Sequence, residues 1–215
     1  MIKILGIHEV NNYKNLFKIL SESVEGVNYI IDCPWIYDNA KIKSTDIILD
    51  VGCGAGGMLY YTAQKCKKAY GIDLVDYTDG FEIRKKRYNI NNLQFVLGNA
   101  TKMPFEDNFF DIITSVSAIE HNTLEDLNVL MKECGRILKP GGRFVATGAT
   151  GLGFWNSEQE IYNACTTNTK LKIEDETMLT NWDRAHALIK LKELKSSLGD
   201  RWPQDWIPVG LILKK

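Results

Sequence analysis

The chain has 215 residues, 45% of them hydrophobic, and a formal net charge of −1. This length and composition suit one globular unit with a sizeable core, and the near-neutral charge gives no bulk attraction for nucleic acid or an anionic membrane. Five scattered cysteines (Cys33, Cys53, Cys66, Cys134 and Cys165) argue against both a disulfide framework and a Cys-x-x-Cys metal site. No apolar run reaches the length of a membrane span, and "MIKILGIHEV" lacks the layout of a signal peptide, so the expected setting is cytoplasmic.

In chain order, residues 12–24 place Leu16, Leu20 and Val24 on one helical stripe. "DIILDVG" (46–52) then reads as a buried strand ending at glycine, and "GGMLYYTAQKC" (56–66) as a helix that starts inside the glycine cluster. "KAYGID" (68–73) is a short strand ending on Asp73, "GFEIRKKRYNI" (80–90) a helix, and "LQFVLGNA" (93–100) a third strand. "FFDIITSV" (109–116) is the fourth. Thr123, with Asp126 three residues on, signals the start of a helix over 124–138 that aligns Leu127, Leu130, Met131, Cys134 and Leu138. "KPGG" (139–142) stops that helix as a turn before a fifth strand, "GRFVATGAT". Further on, 156–167 and 182–197 read as helices, and "LKIEDE" (171–176) and "IPVGLILKK" (207–215) as two late strands. Strand–helix alternation of this length predicts an α/β fold, a doubly wound and mostly parallel sheet with helices on both faces.

The glycine cluster "ILDVGCGAGG" (48–57) admits two ligands. Gly52, Gly54 and Gly57 satisfy the G-x-G-x-x-G spacing of a dinucleotide site. Asp50, two residues before the first glycine, favours the other. Its carboxylate is a poor neighbour for a pyrophosphate, whereas the methionine tail of S-adenosylmethionine (SAM) carries an ammonium that an acid attracts. Loop amides and the following helix start would take that tail's carboxylate. A structural role, with Asp50 capping the loop's own amides, stays open. Asp73 ends the next strand about twenty residues later, where an acid accepts from ribose hydroxyls. That feature supports a nucleoside without choosing between the two ligands.

"ILDVGCGAGG", the acid in "YGIDL", "LGNATKMPFEDNFFDIITSVSAIEH" and "LKPGGRF" together resemble the class I SAM-dependent methyltransferases, over about residues 44–150. The resemblance implies a seven-stranded sheet whose last two strands form an antiparallel hairpin. Residues 1–43 become a helical lid, 44–150 the SAM-binding core, and 151–215 the variable acceptor region. It assigns Asp50, Gly52, Cys53, Gly54 and Gly56 to the methionine half of the cofactor, Asp73 to the ribose, and Leu74 to the adenine edge. Asn99 and Ala100 face the adenine, with Asn99 standing where the family usually has an acid; Ser115 and Ser117 complete the cofactor set.

Glu120 and His121 are the ionisable candidates beside the methyl group, with His121 either a base or a lining residue. Three histidines without ligand spacing predict no metal. "SVSA" stands where methylases of base amines carry an Asn/Asp-Pro-Pro-aromatic tetrad, and "IRKKR" (83–87) reads as a solvated helix face, so nucleic acid is not an expected partner. Tyr13, Trp35, Tyr37, Phe154, Trp155 and Tyr162 are candidates for stacking on an acceptor or for packing. The expectation is methyl transfer to a small molecule, at a hydroxyl of a sugar or related metabolite, by a monomer or homodimer. A carbon or nitrogen acceptor on a quinone-like or amine metabolite, SAM binding without transfer, and a nicotinamide-linked reductase remain alternatives.

Overall fold

The structure is a computed structural model that describes residues 1–5, 28–151, 154–176, 180–199 and 205–215. The strands are β1 (Ile2–Ile4), β2 (Ile47–Val51), β3 (Lys68–Asp73), β4 (Leu93–Leu97), β5 (Phe110–Val116), β6 (Leu138–Gly151), β7 (Lys172–Ile173) and β8 (Trp206–Lys214). The helices are α1 (Asn28–Ala40), α2 (Gly57–Ala63), α3 (Thr78–Tyr88), α4 (Leu124–Ile137), α5 (Glu158–Thr166) and α6 (Arg184–Leu198), with a 3-10 turn at Ile119–His121.

One sheet runs in the order β1-β8-β6-β5-β2-β3-β4, and β7 joins it by pairing with β8. Strands β2 to β6 are mutually parallel, joined by α2, α3 and α4 except between β4 and β5, where residues 98–109 cross without a helix, while β8 lies antiparallel to β6 and to β1. The sheet has eight strands rather than the expected seven, because Ile2–Ile4 pairs with Val209–Leu211. Of "LKIEDE" only Lys172–Ile173 is strand. "KPGG" is not a turn ahead of the fifth strand. Leu138 already pairs with Phe110, and the register then jumps to Ile112↔Arg143, so the segment is an irregularity inside β6. The helix expected over 12–24 lies outside the described residues.

Alternation along the strands sorts side chains to two cores. On one face, α4 and α5 cover Leu49, Val51, Ile113, Phe144 and Ala146. On the other, α1, α2, α3 and α6 cover Ile48, Ala69, Ile112 and Val145. Helix α4 buries Leu127, Leu130, Met131, Cys134 and Ile137 on one stripe, and Thr123 caps it by accepting from the Asp126 amide at 3.1 Å. Helix α1 is anchored by Trp35, whose ring occupies the space a side chain at Gly210 would need. All five cysteines are free buried thiols.

The "MPFEDNFFD" stretch owes its shape to Arg136 of α4. The guanidinium donates to the Met103 carbonyl at 3.0 Å and the Phe105 carbonyl at 2.7 Å, and pairs with Asp107 and Glu133. Glu133 in turn accepts from the Met103 amide at 2.9 Å. Phe105, Phe109 and Phe110 pack edge-on around Tyr70. The connection into β5 is thereby fixed from both its backbone and its rings.

Candidate active site

The carboxyl ends of β2, β3, β4 and β5 converge, as open parallel sheets place ligand sites. Gly52, Gly54 and Gly56 all have positive φ (66°, 51° and 76°), whereas Gly57 opens α2 with ordinary helical backbone. The working pattern is therefore Asp-x-Gly-x-Gly-x-Gly, and the G-x-G-x-x-G spacing is coincidental. A side chain at Gly52 would collide with Ala118, so the loop lies against the segment after β5. Nothing lies within 4 Å of a Cβ built at Gly54, which leaves open space over the loop.

Loop and strand are tied together before any ligand arrives. The Ile72 carbonyl accepts from the Gly52 and Cys53 amides, and Arg84 of α3 donates to the Ala55 carbonyl at 2.7 Å. Asp73 accepts from the Gly54 amide at 2.8 Å with one oxygen and from the Val75 amide at 3.0 Å with the other. Each carboxylate oxygen keeps a further lone pair for a donor such as a ribose hydroxyl.

A cavity of about 230 Å³ opens at this edge. Gly52, Asp73, Leu74, Asn99, Ala100 and His121 line it, among the residues expected from the sequence, together with Gly98, Thr101, Ala118, Ile119, Asn122 and Leu130. Leu74 is 70% exposed at the rim, an apolar plate suited to the edge of a base. The Asn99 side-chain carbonyl accepts from both the amide and the hydroxyl of Thr101, each at 2.9 Å. It is therefore already engaged, and a base at this point meets the backbone of Ala100 and the Asn99 amide group.

Other expected site residues lie elsewhere. Ser115 is fully buried and its hydroxyl donates to the Val51 carbonyl at 2.8 Å, pinning β5 to β2 away from the cavity. The Cys53 sulfur points under β3, against the space a side chain at Gly71 would need; burial pushes its thiol pKa far up. Only the backbone of Cys53 can serve a ligand. Ser117, with φ of 47°, donates its amide to the Thr147 carbonyl, and its hydroxyl bears on Glu120.

Glu120 and His121 diverge. His121 is exposed on the cavity wall, its ring edge-on to Phe154 at 5.6 Å. Glu120 turns inward and is 6% exposed, and burial raises its carboxyl to about 7. Asp50 is also buried; it accepts from the Thr114 hydroxyl at 2.6 Å, and burial, reinforced by the Asp73 charge, raises it to about 6. Thr114 was not singled out in the sequence; it stands in register with Asp50 on the neighbouring strand.

Most of the candidate aromatics are packing. Trp35 sits on Gly210, Trp155 on Gly148, and Tyr37 lies edge-on to Tyr61 at 4.8 Å. Tyr162 packs at the margin of the α4–α5 core. Tyr13 lies outside the described residues. Among the described residues there is no group of three or more metal-ligating side chains, and no helix is long and apolar enough to cross a membrane.

The parallel sheet, the positive-φ glycine loop after β2, and the acids at the ends of β2 and β3 define a nucleoside-binding α/β domain. Residues 49–146 match the family model described as a methyltransferase domain. The Fatty-acid O-methyltransferase of Mycolicibacterium smegmatis is 38% identical over 104 residues, 47% of this chain and 36% of that protein. A probable chloroplastic tocopherol O-methyltransferase of Oryza sativa subsp. japonica is 29% identical over 172 residues, 79% of this chain and 46% of its own length. The chain thus spans less than half of these curated relatives. In fold it resembles the YcgJ protein from Bacillus subtilis, with a TM-score of 0.63 at 18% identity, covering 84% of this chain and 96% of the other. Residues 49–146 are thus similar to a methyltransferase domain, and the sheet has the fold of the class I SAM-dependent methyltransferases that the sequence motifs resemble. The cofactor of that class is SAM, and the open cradle above Gly54, the free lone pairs of Asp73 and the apolar Leu74 rim fit it.

Proposed function

We propose that the protein transfers a methyl group from SAM to a small-molecule acceptor, at a hydroxyl of a sugar-like metabolite. The observation that carries the proposal is the continuity of two environments. The cavity beside Asp73 suits a nucleoside, and the loop that lines it, Ala118 to His121, buries the Glu120 carboxyl. The relatives named above, a fatty-acid and a tocopherol O-methyltransferase, support an oxygen acceptor on a small molecule.

Asp50 would attract the cofactor's ammonium, directly or through water, and the amides at the start of α2, beyond those already donated within the loop, would take its carboxylate. Asp73 holds the ribose hydroxyls, Leu74 and the Asn99–Ala100 segment border the adenine, and His121 closes the wall. When bound, SAM supplies a sulfonium methyl, whose carbon–sulfur electron pair returns to sulfur as the acceptor oxygen bonds the carbon. The chain's own task is alignment and removal of one proton. Glu120 takes it: a carboxyl raised to about 7 is poised between holding and releasing a proton at neutral pH. His121, on the nucleoside side, is a lining residue.

Calorimetric titration with SAM, S-adenosylhomocysteine and NADH tests the reading. The two adenosyl ligands should bind and NADH should not. Asp73→Ala should weaken SAM by about 1–3 kcal/mol, the range for a lost charged hydrogen-bond partner. NADH binding alone would overturn the assignment of Asp50 and the loop.

A further inference from the structure

A second cavity, of about 280 Å³, opens at the opposite end of the strands, where β2 and β5 begin. Strand β2 runs five residues and β5 seven, so about 15–25 Å of strand separates it from the nucleoside cavity at their carboxyl ends. Two backbone features build it. The pairing of β5 with β6 jumps from Phe110↔Leu138 to Ile112↔Arg143, so Lys139 to Gly142 bow out opposite the single residue Asp111. Bulges of this kind re-aim the side chains at their ends, here Lys139 and Arg143. Nothing lies within 4 Å of a Cβ built at Gly141, so the bulge leaves open space above itself. The connection between α1 and β2 supplies Lys41, Lys43 and Asp46 to the same cavity.

Cationic side chains therefore outnumber acidic ones in the lining, and both acids are already engaged. Asp46 accepts from the Lys43 amide at 2.8 Å. Asp111 accepts from the Ile47 amide with one oxygen and from Lys139 with the other, each at 2.8 Å. Arg143 pairs with Glu174, which Lys214 also holds, so that pair of contacts leaves no net negative charge beside the cavity. Methyl transfer as proposed uses none of these groups.

We infer that this cavity is a second ligand site, for a small phosphate monoester. Charge selects the class: a phosphate monoester carries close to two negative charges at neutral pH, which suits an excess of lysine over carboxylate. Lys41 and Lys43 meet it as point charges, and the Arg143 guanidinium has donors beyond the one given to Glu174. Size limits the rest of the ligand. The volume stands at the lower end for small-molecule sites, about 300 Å³, so the organic group attached to the phosphate is no larger than a sugar. The inference goes beyond the methyltransferase reading and does not depend on it.

The test titrates the full chain, labelled with nitrogen-15, and follows its amide chemical shifts. The probes are glucose 6-phosphate, inorganic phosphate, glucose, and sodium chloride at matched ionic strength. Glucose 6-phosphate should move the amides of residues 41–46 and 141–143 saturably, with a Kd of about 1 mM or below, and leave Gly52, Gly54 and Gly56 in place. Inorganic phosphate should move the same amides more weakly, and glucose and the chloride control should not move them. Lys41 and Lys43 are exposed, so replacing both with alanine leaves the fold intact, as the rest of the spectrum will verify. That double variant should bind glucose 6-phosphate about fivefold more weakly or worse, whereas replacing both with arginine should keep the affinity within about threefold. Absence of saturable shifts, shifts confined to the glycine loop, an equal response to chloride, or unchanged affinity in the double alanine variant overturns the inference. Tighter binding of inorganic phosphate than of the sugar phosphate overturns the assignment to a monoester. None of these outcomes bears on SAM, whose binding is read separately by calorimetry.

Discussion

Replacing Asp32 with asparagine should make the protein more stable at pH 8 and change its stability near pH 4.5 by only about 1 kcal/mol. Burial, above all, raises this carboxyl from 3.8 to about 7 in the folded protein. Between those values the native state keeps a proton that the unfolded chain has released, so stability falls as pH rises through the window and levels off above it. At 1.36 kcal/mol per pH unit, the rise corresponds to about 4 kcal/mol of lost stability at pH 8. Asparagine has nearly the same shape and carries no charge, so it removes that loss. The variant should gain about 2–4 kcal/mol at pH 8 relative to wild type. Urea unfolding at pH 4.5, 6 and 8, with the midpoint and slope fitted for both proteins, measures it. A difference between variant and wild type that is the same at all three pH values would refute the idea that an uncompensated charge sits beneath α1.

The remaining predictions concern the site and its frame. Glu120→Gln should lower kcat by about 100-fold or more with S-adenosylhomocysteine affinity unchanged, as for a lost general base; an unchanged kcat would return the proton to another group. His121→Ala should weaken SAM by about 1 kcal/mol and lower turnover by no more than that implies, read from Kd and kcat together. A kcat loss far beyond the affinity loss would make His121 the base. Arg136→Met strips donors from the Met103 and Phe105 carbonyls and should cost about 2–3 kcal/mol in denaturant unfolding; a loss under about 0.5 kcal/mol would mean that the ring cluster alone holds the connection.

The central strands and α4 were legible because their signals are local. A buried parallel strand reads as a β-branched apolar run ending at glycine, and α4 carries its own cap and stripe. Strand β1 was not legible, since three residues carry no period and their partner, β8, lies about two hundred residues away in sequence. Motif spacing could be tested for position, and it puts Asp50, Asp73 and the glycines at strand ends that the sheet brings together. Two side chains failed that test for one reason: spacing fixes where a backbone goes and not which way a side chain turns. Cys53 and Ser115 lie beside the cavity in sequence and face away from it. The same limit left Glu120 and His121 undistinguished until the 3-10 turn pointed one inward and the other outward. Asp32 was overlooked because it lies outside every motif, yet an acid within "YIIDCPWIY" is itself a signal that a helix buries a charge.

Trp35 clamps α1 over Gly210, one helical turn from Asp32. The helix is therefore held to the sheet by Trp35 together with Ile31 and Ile36, with a buried acid between them. The glycine loop, Asp73 and Asn99 belong to other elements altogether. Substitutions along α1 therefore act first on β5, β6 and β8, the strands it packs against, and not on the loop after β2.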